Sequence, residues 1–315
     1  MEKTENKREG GKPDLHEKSL ESYNDVFADI VNAILFEGKA EVSEDELEDA
    51  NVNSVYLGNE KIREQDRDVA KFWNKDGTRS ACFGIENQTN SDPNISFRTI
   101  GYDGASYRDQ LYFIKGNKGK RKTNRNPRYP VVTIVLYFGF NRRWTGARKL
   151  SDALMNMPEE LKPFVNDYEV HIIEVAWMTQ EELERLTSDF RIVADFLVQM
   201  RENEKYNPLQ KKMIHVRETL GILSSITGDD RFEKTMDLKD GEEEPKTMCE
   251  VLDIIENRGI QKGLQKGLQK GEKLGRVAEY IALRSEDGYS AEDIIQGLMK
   301  RFQLTKKQAM GYMRQ

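Results

Sequence analysis

Glu86 and Gln88 stand two positions apart, just after the run Ala81-Cys82-Phe83-Gly84-Ile85, so on a β-strand their side chains share one face. Upstream, Asp68 leads into Val69-Ala70-Lys71-Phe72-Trp73, and the turn signal Asn74-Lys75-Asp76-Gly77 separates the two segments. A hairpin centred on Gly77 sets Asp68 opposite Glu86 and Asp66 opposite Gln88. Two carboxylates with Cβ atoms about 5 Å apart repel each other unless a cation lies between them. The spacing therefore points to a divalent-metal site.

The elements that must position these residues follow from periodicity. Residues 23–36 form an amphipathic helix with Phe27, Ile30, Val31, Ile34 and Leu35 on one stripe, and Gly38 ends it. Asp25, Asp29 and Asn32 make a polar stripe beside it. That stripe is either a solvated face or the edge from which one acid reaches the metal site. The acid-rich segment 41–49 reads as a loop or short helix, and a first strand is expected at Val52 to Leu57. The hairpin arms, Arg67–Trp73 and Arg79–Gln88, come next. A helix is expected from Ile95 to Ile114, weakened by Gly101 and Gly104, with Ser91 or Asp92 capping its start. The β-branched run Tyr129 to Gly139 has the composition of a strand buried on both faces, and Glu169 to Trp177 gives another. Short helices at 150–155 and 158–164 lie between them. The order predicts a mixed α/β sheet with helices on its faces.

Thr179 and Glu182 form a capping box ahead of a helix from Leu183 to Arg201, and a second helix is expected from Leu209 to Thr227. The predicted organisation is a disordered tail at 1–14, a core at 15–178, a helical extension at 179–228, an acidic linker at 229–246 and a helical region at 247–315. The last region contains three tetrads, starting at Gly259, Gly263 and Gly267, extended by Gly271 and Gly275. Glycine costs about 1 kcal/mol per helical position against alanine. A helix of this composition is expected to need a partner helix, which makes a homo-oligomer one expectation.

Composition narrows the function classes. A chain of 315 residues with 37% hydrophobic and 33% charged residues is a soluble globular type with no apolar run able to span a bilayer. The polar N-terminus lacks the apolar segment of a secretory signal, so a cytoplasmic address and no membrane contact are expected. Cys82 and Cys249 are two distant thiols, and His16, His171 and His215 are isolated, which argues against zinc. The net charge of −6 excludes a uniformly basic nucleic-acid binder but not a local basic patch. Residues 115–128 supply such a patch. Lys118, Lys120, Arg121, Lys122 and Arg125 stand among glycines and a proline with no acid between them, which suits sequence-independent phosphate contacts. A solvated surface loop is the alternative.

Asp68, Glu86 and Gln88, with this element order, resemble the αβββαβ core of the PD-(D/E)xK nucleases. The chain resembles one branch more closely, the recombination-promoting nuclease and transposase (Rpn) family. The segments that carry the likeness are 23–29, Arg67-Asp68-Val69-Ala70-Lys71, Gly84-Ile85-Glu86-Asn87-Gln88-Thr89, Gly101-Tyr102-Asp103-Gly104-Ala105-Ser106-Tyr107, 129–133 and 188–195. The resemblance implies a DNA endonuclease with Mg²⁺ held by Asp68 and Glu86, or Mn²⁺ in its place. It implies that Asp29 or Asp25 supplies a helix-borne acid, and that Tyr102, Tyr107 and Gln110 complete the site. The superfamily's third residue is typically Lys; here it is Gln88, which carries no positive charge. Two alternatives stay open: a DNA-binding protein with a catalytically decayed nuclease core, and an interaction module built from the helical C-terminal third.

Overall fold

A computed structural model describes residues 20–50, 53–58, 61–111, 128–203, 206–238, 241 and 243–314. Contacts divide the chain into two compact units with the boundary between Val251 and Leu252. Among the described residues no helix is long and apolar enough to cross a membrane.

The first unit is built on a mixed sheet of five strands in the order β1 (Leu47–Asp49), β4 (Val69–Lys75), β5 (Thr78–Gln88), β6 (Val131–Tyr137) and β7 (His171–Glu174). The pairings β1·β4 and β4·β5 are antiparallel, and β5·β6 and β6·β7 are parallel. Ala81 to Asn87 of β5 are buried on both faces, and β6 is buried almost throughout, because each strand is flanked on both edges and covered on both sides. This is the α/β architecture expected from the sequence, a mixed sheet flanked by helices.

The β4–β5 hairpin turns at Asp76 and Gly77, both with positive φ (53° and 72°), as a two-residue turn matched to strand twist requires. Lys75 pairs with Thr78 and Asn74 with Arg79. An irregularity next to Trp73 then shifts the ladder by one residue, so that Trp73 faces Ala81 and Val69 faces Ile85. The ladder ends at Val69, and Asp68, the bend residue just before it, reaches β5 through its carboxylate, which accepts from Asn87 N.

Asp66 is a different matter. It lies in β3 (Lys61–Asp66), whose partner is β2 (Asn53–Gly58), and Asp66 is paired with Asn53. The pairing of Asp66 with Gln88 is therefore corrected. The strand expected at 52–57 is present as β2, but β2 and β3 form a two-stranded sheet of their own, and the edge of the main sheet is Leu47–Asp49, inside the acid-rich segment. Two further boundaries differ. Only His171–Glu174 of the run 169–177 is strand, followed by a 3-10 turn at Val175–Trp177. The expected helix from Leu183 to Arg201 is two helices, Gln180–Glu184 and a longer one at Phe190–Asn203.

Helix α1 (Asn24–Leu35) covers one face of the sheet. Its Phe27 ring lies 5.8 Å from Lys71 Nζ, and Val26, Phe27, Ile30 and Val31 are buried. Helix α2 (Ile95–Asp109) covers the opposite face. Ile95 packs with Val135, Tyr137, Trp144, Val170 and Ile172 in one cluster.

The second unit has its own small core. The long helix Met248–Glu286 carries the glycine repeat and ends in a bundle with Ala291–Phe302 and Lys306–Tyr312, where Val277, Ile294, Leu298, Leu304 and Ala309 meet. Ser290 and Thr305 cap the two short helices by accepting from the backbone N–H groups of Asp293 and Gln308. Along the repeat Ile260, Leu264 and Leu268 are exposed, and a Cβ added at Gly259, Gly263, Gly267, Gly271 or Gly275 would meet no atom within 4 Å.

Candidate active site

Glu86 is fully buried on the α2 face of β5. Gln88, on the same face, donates its Nε2 to Glu86 Oε1 at 3.2 Å. The alternation of the strand puts both there, and α2 brings a third partner. Arg98 donates Nη2 to the same Glu86 oxygen and Nη1 to Asp92 Oδ2 at 3.0 Å. One helical turn further on, the Tyr102 hydroxyl accepts from Arg98 Nη2 at 3.2 Å. Burial works against the Arg98 charge, but Glu86, Tyr102 and Asp92 outweigh it and raise its pKa. The guanidinium stays charged at any working pH.

Asp68 lies at the entrance to β4 and accepts the backbone N–H of Asn87 at 2.6 Å. Its charge and that of Glu86 both reach the Tyr102 hydroxyl. Burial first, then Glu86 and Asp68, push that hydroxyl up to about 12, with Arg98 pulling the other way. The structure thus joins Glu86, Gln88, Arg98, Tyr102 and Asp92 in one hydrogen-bonded group, with Asp68 bonded to the backbone of Asn87 beside it. Arg98 is the residue that the sequence alone does not point to; only its i, i+4 spacing to Tyr102 is legible there.

A second layer holds this group in place. Arg67, the neighbour of Asp68, forms an ion pair of 2.8 Å with Asp103, the neighbour of Tyr102; the two side chains are 3% and 2% exposed. Thr133 Oγ1 donates to Asp103 Oδ1 at 2.6 Å, and the Tyr168 hydroxyl donates to Oδ2. Burial and the Asp103 charge push the Tyr168 pKa well above the tyrosine range. The Arg67 side chain crosses β5 at Gly84, where an added Cβ would come within 2.5 Å of its Cδ and 2.6 Å of its Nη1. Gly84 is glycine because a guanidinium passes over it.

The remaining expected residues sit elsewhere. Asp29 accepts from Thr187 N, Thr187 Oγ1 and Ser188 N at 2.7–3.0 Å, which ties α1 to the break between the helices at 180–184 and 190–203. Asp25 bonds His215 Nε2 at 3.0 Å, and that ring stacks on Tyr23. The acid that α1's end of the chain brings toward β5 is instead Glu21, fully buried, whose Oε2 accepts from Asn87 Nδ2 at 2.8 Å. Tyr107 accepts from Val131 N at 3.0 Å, and Gln110 exchanges two bonds with the Tyr129 backbone, so both fix the entry to β6. Lys118, Lys120, Arg121, Lys122 and Arg125 lie outside the described residues.

Among the described residues no group of three or more His, Cys, Asp and Glu side chains could hold a metal ion. Asp68 and Glu86 are two hard oxygen donors. That set fits Mg²⁺, which binds through one or two carboxylates and keeps several waters.

The sheet order and the crossover through α2 are those of a mixed α/β sheet flanked by helices, the fold class of the PD-(D/E)xK nuclease-like core that the sequence resembles. Residues 47–221, more than half of the chain, match the family described as "Putative transposase, YhgA-like", and the chain belongs to that family. No curated protein and no solved structure matches it.

Proposed function

We propose that this chain is a Mg²⁺-dependent endonuclease that hydrolyses phosphodiester bonds of DNA in recombination or the movement of mobile elements. The observation that carries this reading lies at the carboxyl end of β5, where the buried Glu86 carboxylate is held by Gln88 and the Arg98 guanidinium and the Asp68 carboxylate accepts the next backbone N–H, that of Asn87. Asp68 and Glu86 would hold the ion. When bound, it supplies an activated water and offsets charge on the scissile phosphate. Gln88 fixes the orientation of Glu86 through its amide and presents its carbonyl oxygen to a water.

Arg98 takes the part that the missing lysine leaves open. It is a permanent cation, 34% exposed, on the same face as Gln88. Its five N–H donors suit phosphate oxygens as well as carboxylates. Arg98→Ala is expected to lower the single-turnover nicking rate about 10²-fold, the usual cost of one transition-state donor, with Arg98→Lys retaining part of the rate. An Arg98→Ala rate equal to wild type removes Arg98 from this role.

Supercoiled plasmid incubated with the full chain tests the reading itself. Conversion to open circles with Mg²⁺ or Mn²⁺, and none with EDTA, is the expected result. DNA binding without nicking in either ion would make the chain a binding protein on a nuclease fold.

A further inference from the structure

The loop that follows β6 is rich in basic residues. Residues 138–149 contain Arg142, Arg143, Arg148 and Lys149 and no acid. All four bases are exposed. The loop is nonetheless firmly held. Trp144 is buried, its indole N–H donates to Gly146 O at 2.8 Å, and its backbone N–H donates to Glu174 Oε2 at 2.9 Å. The Tyr137 hydroxyl donates to Arg142 O at 3.0 Å. Gly146 lies so close to the Trp144 ring and the Asp92 carbonyl that an added Cβ would stand 2.8–3.0 Å from them.

This anchoring sets the loop beside the candidate site. Thr145 N donates to Ser91 Oγ at 3.0 Å, and Ser91 and Asp92 form the turn that joins Gln88 to α2 and holds Arg98. A cavity of ≈ 440 Å³ opens between the residues just after Gln88, namely Thr89 and Asn90, and Phe140, Asn141 and Arg142 of the loop. Four bases face fewer carboxylates: Arg143 and Arg148 share that of Glu174, at 3.5 and 2.6 Å, Arg142 makes no ion pair among the described residues, and Lys149, bridged to Glu169, acts on the Asp167 carboxylate without forming an ion pair among the described residues. A solvated loop has no need of a buried tryptophan and three backbone anchors to hold four bases in place. A cationic surface fixed in advance loses less entropy when an anion binds.

We infer that residues 142–149 form a phosphate-binding strap that holds the DNA backbone flanking the bond cut at Asp68 and Glu86. The inference rests on reading that site as a phosphodiester site, and it concerns residues other than the basic run 115–128 of the sequence. Arg142 and Lys149 bind backbone phosphates, and Arg143 and Arg148 share their charge between Glu174 and the strand.

Fluorescence anisotropy of a labelled duplex oligonucleotide with the full chain in EDTA, over a range of salt concentrations, separates this from catalysis. Each phosphate contact contributes about 0.9 to the slope of log K against log salt. The double variant Arg142→Gln, Lys149→Gln should therefore bind with a slope shallower by about 1.8. The control Lys306→Gln, Lys307→Gln removes the same charge from the second unit and should leave the slope unchanged. A wild-type slope in the loop variant, an equal fall in the control, or no DNA binding by the wild type overturns the strap, even if nicking depends on Asp68 and Glu86. A shallower slope confined to the loop variant, in a chain that never nicks, upholds the strap and defeats the nuclease reading instead.

Discussion

Glu86→Gln is expected to lower metal-dependent nicking by about 10³-fold or more while leaving the chain folded. The substitution is nearly isosteric in a side chain with no exposed surface, so it opens no cavity. The amide carbonyl still accepts from Gln88, and Arg98 keeps Asp92 as a counter-charge. What disappears is one of two anionic donors. A metal ion contributes several kcal/mol of charge stabilisation in the transition state. Losing about 4 kcal/mol corresponds to about 10³ in rate, at about 1.4 kcal/mol per tenfold. Single-turnover nicking at saturating Mg²⁺, with thermal unfolding of the same samples, checks both halves. A rate within tenfold of wild type would take Glu86 out of the site, and an unfolded variant would transfer the test to Asp68→Asn, whose carboxylate lies at the strand entrance.

The hairpin that carries Glu86 and Gln88 is legible in the sequence because hairpins obey short-range rules. Asp76-Gly77 specifies a tight turn, the apolar runs specify the arms, and the register that pairs Val69 with Ile85, one residue short of Asp68 and Glu86, follows from the two together. The bulge beside Trp73 has no local signature, yet it leaves the register at the site where a Gly77-centred hairpin puts it. The edge strand was hidden for the opposite reason. Leu47–Asp49 has two exposed acids in three residues and is held by backbone pairing to β4, whereas the better strand former, 53–58, pairs within its own hairpin.

Arg98 was illegible because its partner Glu86 is reached only once α2 has landed on the sheet, a tertiary event with no trace in the spacing of single bases. The contacts of the acids near α1 are illegible for the same reason. Periodicity favours Asp25 and Asp29, but the break at Ser22 and Tyr23 turns Glu21 toward Asn87 and leaves Asp29 to cap the Thr187 turn. The loop at 138–149 carried the same acid-free signal as 115–128, diluted by Trp144 and by fewer bases.

Asp103→Ala should cost about 3–5 kcal/mol of stability, the range for removing one partner of a buried ion pair. The Arg67 guanidinium would remain inside without its carboxylate, and the hydroxyls of Thr133 and Tyr168 would lose their acceptor. These losses share one group and do not add. For a folded unit of this size 1 kcal/mol moves the unfolding midpoint by about 2–4 °C, so a fall of roughly 6–20 °C is expected in thermal unfolding of the first unit. A fall below about 2 °C would mean that the pair contributes nothing net. The companion change Gly84→Ala approaches the same contact from the strand. Its Cβ would meet a side chain pinned at its far end by Asp103, so Arg67 cannot swing clear without giving up the ion pair. If Asp103→Ala has already released Arg67, Gly84→Ala should cost much less in that background than alone. Such coupling would show that the glycine, the arginine and the aspartate act as one clamp, fixing the residue before Asp68 against the residue after Tyr102.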